Sequence, residues 1–216
     1  MKVLELFSGT GSVGKVAVNY GFNVVSLDRD MDANIKVDIM DWDYKIYPPG
    51  HFDIIWASPP CTEYSIAKTI GIRKIEEANE IVKRVLDIIS YFEPLYFMIE
   101  NPQTGLLKNQ DFMQGIPYSD VDYCKYGMPY RKRTRIWNNL TGWSPKPLCQ
   151  KDCDSMNETK TRHKQDAQRS PSGRPEFWGD RIKFKQEELC IIPELLVEDI
   201  FDYIFQSLIS MSTPHT

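Results

Sequence analysis

Val3-Leu4-Glu5-Leu6-Phe7-Ser8-Gly9-Thr10-Gly11-Ser12-Val13-Gly14 runs from an apolar strand, Val3 to Phe7, through a glycine-rich turn into a helix that extends to about Tyr20. Strand, turn and helix in immediate succession predict an α/β fold. Gly9, Gly11 and Gly14 have the G-x-G-x-x-G spacing, in which missing side chains permit a tight turn and close approach of a nucleotide-like ligand to the backbone. Asn23 to Leu27 reads as a second strand. Asp28 at its end is placed to accept hydrogen bonds from a ribose diol, with a turn or helix cap as its structural alternative. A short third strand, Ile35 to Val37, ends at Asp38, where a second acidic side chain can face an adenine amino group.

Downstream of the Pro48-Pro49-Gly50 turn, the apolar run Phe52 to Ala57 reads as a fourth, buried strand, stopped by Pro59-Pro60. Consecutive prolines hold the next residue, Cys61, in a stiff loop outside the carboxyl end of that strand, where ligands gather in open α/β sheets. A small buried thiol is the bland reading of a lone cysteine there. Arg73 to Phe92 carries Ile75, Ala78, Val82, Val85, Ile89 and Phe92 at helical spacing, a core stripe. Leu95 to Ile99 is a fifth strand, followed at once by Glu100-Asn101-Pro102. Tyr118 to Cys124 predicts another strand. Beyond the Tyr126-Gly127-Met128-Pro129-Tyr130 turn, alternation from Arg131 to Arg135 would put three arginines on one strand face. Asn138 to Gln186 is polar, rich in Pro and Gly, and without periodicity; Leu195, Leu196, Ile200, Ile204 and Leu208 trace the apolar face of a terminal helix.

With 216 residues, 42% hydrophobic and 26% charged, the chain suits a single globular domain, 1–216, with 138–190 as a basic, loop-rich insertion. Met1 is followed by no basic and apolar leader, and no stretch approaches the ~20 apolar residues of a membrane span. The expectation is an intracellular protein, cytoplasmic or nuclear, with no membrane partner. Five cysteines at irregular spacing fit reduced thiols, catalysis or a metal better than a disulfide framework. Cys149-x3-Cys153 and His163, with Cys124 or Cys190 as a fourth ligand, are candidates for a structural zinc in a segment with little apolar material; unrelated thiols and a surface histidine are the alternative. The net charge of −4 conceals an asymmetry: residues 125–185 hold 15 Lys/Arg against 6 Asp/Glu, whereas residues 1–124 hold 11 against 18. A basic segment on an acidic body suits a phosphate-backbone footprint, to which Arg169 and Arg174 would contribute.

Phe-x-Gly-x-Gly after strand one, Pro-Pro-Cys after strand four, Glu-Asn after strand five and Arg-x-Arg beyond it occur in one order. In that order they resemble the cytosine C5 methyltransferases, which use S-adenosylmethionine to modify DNA and, in one branch, transfer RNA. The resemblance covers residues 1 to about 137 and, more weakly, the terminal helix; it implies a doubly wound, Rossmann-like methyltransferase sheet. Matched residue by residue, Phe7, Ser8, Gly9, Thr10, Gly11 and Pro59 look like the cofactor site, Asp28 like the ribose ligand and Asp38 like the adenine contact. Cys61 looks like the nucleophile, Glu100 like the catalytic glutamate, and Arg133 and Arg135 like the paired arginines near cytosine and phosphates. Some 50 residues between Trp137 and the last helix make this a short member with a reduced target-recognition region. DNA is then the expected partner and RNA the alternative, with sequence specificity minimal or supplied by another protein.

Two rival functions remain open at this point. A nicotinamide-dependent oxidoreductase shares the glycine fingerprint and Asp28, yet leaves Cys61, Glu100 and the arginines without roles. A catalytically silent, nucleic-acid-binding relative would need neither Cys61 nor Glu100.

Overall fold

Strands buried on both faces need helices on both sides, and the Val/Ile/Leu runs of the first hundred residues meet that requirement. The computed structural model describes residues 1–167 and 184–212; Arg169 and Arg174 lie outside the described residues. Seven strands, β1 (Lys2–Leu6), β2 (Asn23–Asp28), β3 (Ile35–Lys36), β4 (Ile54–Ala57), β5 (Tyr96–Pro102), β6 (Tyr118–Asp122) and β7 (Arg133–Asn138), form one sheet in the order β3-β2-β1-β4-β5-β7-β6. β1 to β5 pair in parallel, and β7 runs antiparallel between β5 and β6. Helices α1 (Ser12–Asn19) and α4 (Glu194–Ser212) contribute to the apolar core on one face, and α2 (Ile75–Phe92) to that on the other. A short helix, α3 (Gln186–Cys190), precedes α4.

The strand order reverses between β1 and β4. From β1 the chain moves outward to β2 and β3, then returns to build β4 on the opposite side. The loops leaving β1 and β4 therefore diverge and open a crevice at the carboxyl edge, the general ligand position of doubly wound sheets.

β5 is longer than the Leu95–Ile99 strand expected from the sequence. Its pairing with β4 ends at Ala57↔Ile99, but its pairing with β7 continues through Glu100↔Ile136, Asn101↔Arg135 and Pro102↔Thr134. Glu100 and Asn101 are thus strand residues rather than loop residues, with a free flank where β4 has turned away. β7 begins at Arg133, so Arg131 does not join Arg133 and Arg135 on the strand face. In α2 the buried stripe includes Ile88, with Ile89 only half-buried; in α4, Val197 and Phe201 are buried and Leu195 is exposed.

Gly14 has a packing reason. Glu5 is buried, and its carboxylate accepts the backbone N–H groups of Val13 at 3.1 Å and Gly14 at 3.0 Å in the first turn of α1. A Cβ on Gly14 would lie 2.6 Å from Glu5 Oε2. The third glycine of the fingerprint lets the helix approach a carboxylate from β1 that binds its N-terminal donors.

Candidate active site

The loop after β1 is built from left-handed backbone: Phe7 at φ 58°, Gly9 at φ 53° and Gly11 at φ 69°. Phe7 holds this conformation at a steric cost that glycine avoids, as residues at functional sites often do. Ser8 N donates to Leu27 O (3.1 Å) and Gly9 N to Asp28 Oδ2 (2.9 Å), which fasten the loop to β2. Asp28 Oδ1 accepts the N–H groups of Asp30 and Met31, each at 2.9 Å. Asp28 is therefore a clamp on two turns, and its carboxylate oxygens keep further lone-pair capacity. Asp38 accepts from Met40 N (2.9 Å) and from Arg29 Nη1 (3.3 Å), while Arg29 also pairs with Asp30 at 2.9 Å. Arg29 escaped the sequence reading; its position directly after Asp28 was the available signal.

A cavity of about 350 Å³ fills the crevice. Phe7, Ser8, Gly9, Thr10, Asp28 and Asp38 line one side, and Pro59, Cys61 and Glu100 line the other, joined by Lys132, Cys190 and Ile192. Of the residues expected at the cofactor site, Gly11 alone does not line the cavity; its left-handed backbone ends the turn and serves as N-cap of α1. Among the described residues the buried Ser8 hydroxyl has no partner, which is rare for a polar atom and suits a polar ligand group beside the loop. Apolar walls, acidic groups at two strand ends and an unpartnered hydroxyl fit the adenosine and amino-acid portions of S-adenosylmethionine.

The loop after β4 is held from below. Ser58 N donates to Leu6 O at 3.2 Å and Trp56 Nε1 to Ser58 Oγ at 3.2 Å. Asn101, fully buried, donates through Nδ2 to Pro59 O at 2.9 Å, so β5 positions the loop that carries the cysteine. Tyr64 N returns to Cys61 O at 3.1 Å, and Arg73 clasps the carbonyls of Glu63, Ser65 and Lys68. Cys61 itself is half-buried. Burial pushes its thiol pKa up, the nearby Lys132 ammonium pulls it down, and Glu100 and Cys190 push it up again.

Glu100 is buried at 6% exposure, yet one carboxylate oxygen is met by a hydroxyl donor and a nearby ammonium. Tyr123 Oη donates to Oε1 at 2.9 Å, and Lys132 Nζ lies 3.8 Å from the same atom. Burial holds the Tyr123 hydroxyl well above its usual pKa, so it remains a donor. The sequence reading missed both residues. Lys132 lies inside the basic run but was overshadowed by Arg133 and Arg135, which the structure does not bring to the cavity. Arg133 instead forms a bidentate pair with Asp122 (3.0 and 2.8 Å), and Arg135 with Asp120 (2.8 and 2.9 Å).

Cys124, Cys149, Cys153 and His163 converge away from this crevice, their ligand atoms all within 4.8 Å of one another. Of the two alternatives for a fourth partner, Cys124 joins the group, and Cys190 lines the cavity beside Cys61 instead.

Comparison with known proteins shows the family to which this chain belongs. The sequence model of the family described as C-5 cytosine-specific DNA methylase matches residues 1–116, more than half of the chain. A Frog virus 3 (isolate Goorha) protein named "Probable DNA (cytosine-5)-methyltransferase" is 38% identical over 172 residues, covering 72% of this chain and 79% of that protein. Among solved structures, an E. coli prophage protein described as a DNA modification methyltransferase superposes with a TM-score of 0.50 at 19% identity, covering 69% of this chain and 52% of the other. The S. pombe Dnmt2 methyltransferase gives 0.43 at 17% identity, covering 63% and 48%. The chain spans about half the length of these solved structures. The first of them shares the fold, and the matched family model and viral relative carry the closer relationship: the chain belongs to the C-5 cytosine-specific DNA methylase family.

Proposed function

We propose that this protein transfers a methyl group from S-adenosylmethionine to C5 of cytosine in DNA, through a covalent intermediate at Cys61. The observation that carries the reading is the gathering of the glycine loop, Cys61 and Glu100 around one cavity at the point where the strand order reverses. A nicotinamide enzyme would need only the first of these three.

When bound, S-adenosylmethionine supplies an electrophilic methyl group on its sulfonium. Phe7, Ser8 and Gly9 would hold it through the loop, with Asp28 toward the ribose and Asp38 toward the adenine. Cytosine C5 is a weak nucleophile until something adds at C6. Cys61 gives its proton to solvent and its sulfur bonds to C6; the C5–C6 π electrons shift to C4–C5, and the C4–N3 π electrons take up a proton at N3, leaving an enamine. Glu100 is assigned as the donor to N3 through Oε2, because Tyr123 and Lys132 both engage Oε1. Once C5 has gained the methyl group, loss of H5 to a base such as water restores the C5–C6 double bond as the Cys61 sulfur leaves as thiolate, and N3 returns its proton to Glu100. Lys132 serves this sequence by stabilising the thiolate. A cytosine in a duplex must first be flipped out, at a cost of about a few kcal/mol.

The phosphate footprint falls to the basic segment 125–185. Some of its described cations are already engaged: Lys125 pairs with Asp152 at 2.8 Å, and Arg133 and Arg135 pair with Asp122 and Asp120. Lys132 faces the crevice, so backbone contacts are assigned to the remaining basic residues of the segment, and affinity should fall steeply with salt.

A cytosine-containing oligonucleotide with fluorine at C5 tests the mechanism. Methylation then leaves no proton to remove from C5, so protein, methyl group and DNA should remain joined through denaturation, with the adduct mapping to Cys61. Cys61→Ser should lose the adduct and keep binding of S-adenosylhomocysteine. Methyl transfer to C5 without an adduct at Cys61 would exclude the covalent mechanism, and trapping on RNA but not DNA would exclude the substrate.

A further inference from the structure

The cysteine–histidine group lies outside the catalytic crevice, and methyl transfer has no use for it. We propose that Cys124, Cys149, Cys153 and His163 form a structural Cys3His zinc site that fastens the basic insertion to the catalytic sheet. His163 Nε2 lies 3.5 Å from Cys149 Sγ and 3.3 Å from Cys153 Sγ, and all four ligand atoms fall within 4.8 Å of one another. A tetrahedron with zinc–sulfur bonds of about 2.3 Å and zinc–nitrogen bonds of about 2.05 Å has S···N edges of about 3.6 Å and S···S edges of about 3.8 Å. The Cys149–His163 and Cys153–His163 separations already stand close to that S···N edge, and three thiolates with one imidazole select zinc over harder cations.

The surroundings are built to hold such a group. Cys124 sits in the 3-10 turn Tyr123–Tyr126 directly after β6, and Cys149 is buried with its N–H donating to Asp122 Oδ2 at 2.9 Å. Between Cys149 and Cys153, Lys151 takes up a left-handed φ of 68°. His163 is presented by a small antiparallel hairpin, through the Met156↔His163 bridge, Asn157 N→Arg162 O (2.9 Å) and Lys164 N→Ser155 O (2.8 Å). Among the described residues from 139 to 167 there is no helix and no strand beyond isolated bridges, so this stretch has little else to define it. Metal binding supplies folding free energy where a core cannot.

The ligands come from two places in the fold, and that gives the site its role. Cys124 belongs to the sheet edge, and Cys149, Cys153 and His163 belong to the insertion. A shared ion would tie the insertion to Asp122 and Tyr123, the neighbours of Cys124. Asp122 binds Arg133, and Tyr123 binds Glu100.

The full-length protein, purified without added metal, should contain one zinc per chain by plasma mass spectrometry. A mercurial should release it in step with modification of the ligand thiols. Exchange for Co(II) should give tetrahedral d–d absorption with thiolate charge-transfer bands. Cys153→Ser should lower zinc content and Cys190→Ser should not. Removing zinc should raise amide hydrogen exchange in residues 124–164 while β1, β4 and β5 keep their protection. If Cys153→Ser fails to fold, the cobalt spectrum of the wild-type chain decides. Folded protein with negligible zinc and no thiolate–cobalt bands, stoichiometric iron in place of zinc, or zinc lost on Cys190→Ser but kept on Cys124→Ser would each overturn the site.

Discussion

Glu5 offers a test of whether burial or hydrogen bonding rules the carboxylate beneath the glycine loop. Its two backbone donors, Val13 N and Gly14 N, favour the ionised form, as does Lys15; burial and the Asp28 charge oppose it. Burial wins, and the pKa rises from the ordinary 4.5 to about 7. A folded carboxyl that keeps its proton to higher pH than the unfolded one stabilises the fold at low pH. That contribution is complete below pH 4.5, declines as pH rises toward 7, and is gone above it. At ~1.36 kcal/mol per pH unit, the full gap corresponds to about 3 kcal/mol, of which about 2.5 kcal/mol should disappear between pH 5 and pH 8. Glu5→Gln removes the titration while keeping an acceptor oxygen for one of the two N–H groups. Urea unfolding followed by tryptophan fluorescence, for both proteins at several pH values, isolates Glu5 as the wild-type-minus-variant difference. That difference should fall by about 2.5 kcal/mol from pH 5 to pH 8. A flat difference, or one that rises with pH, would show that the helix N-terminus and its N–H groups outweigh desolvation, and the reasoning would fail.

Two further outcomes bear on the crevice. Lys132→Met removes the cation that opposes burial at Cys61, so alkylation of Cys61 by iodoacetamide should become several-fold slower at neutral pH, with its pH profile displaced upward; an unchanged profile would remove Lys132 from the thiol's surroundings. Asp28→Asn retains the shape but weakens the acceptor for Gly9 N, Asp30 N and Met31 N. Calorimetry should show S-adenosylhomocysteine binding weakened by at least about tenfold, consistent with the 1.5–3 kcal/mol of a hydrogen bond to a charged group, and equal affinity would dissociate the clamp from the cofactor site.

The parallel half of the sheet was legible because its strands are short apolar runs ended by glycine, proline or aspartate, and each ending is a local event. Phe7, Gly9, Asp28, Pro59 and Cys61 could therefore be placed on one edge before any tertiary contact was known. The antiparallel half was not legible in the same way. β5 extends through Glu100 and Asn101 because β7 pairs with it from 32 or more residues away, and nothing in Leu95–Pro102 itself announces that partner. The arginine pair was identifiable, but its partners in this structure were not, since Asp120 and Asp122 become its neighbours only when β6 and β7 are set in register. Of the metal-ligating set, Cys149, Cys153 and His163 are near in sequence. The choice between Cys124 and Cys190 depended on the path of the intervening chain.

That register explains how one strand reaches both Tyr123 and the loop that carries Cys61. Glu100 and Asn101 are adjacent on β5 and point to opposite faces: Glu100 meets Tyr123, and Asn101 reaches Pro59 in the loop that carries Cys61. A one-residue slip of β5 in the sheet would exchange the two faces and part Glu100 from Tyr123 and Asn101 from the Cys61 loop. Arg133 stands opposite Asp122 and Arg135 opposite Asp120, both pairs bidentate, with Asp122 fully buried. A one-residue slip between β6 and β7 would leave that buried carboxylate without its partner, at a cost of several kcal/mol. In the structure described, then, the arginines act on the crevice through the sheet: they pin β6 to β7, and β7 in turn holds Glu100 and Asn101 in place on β5.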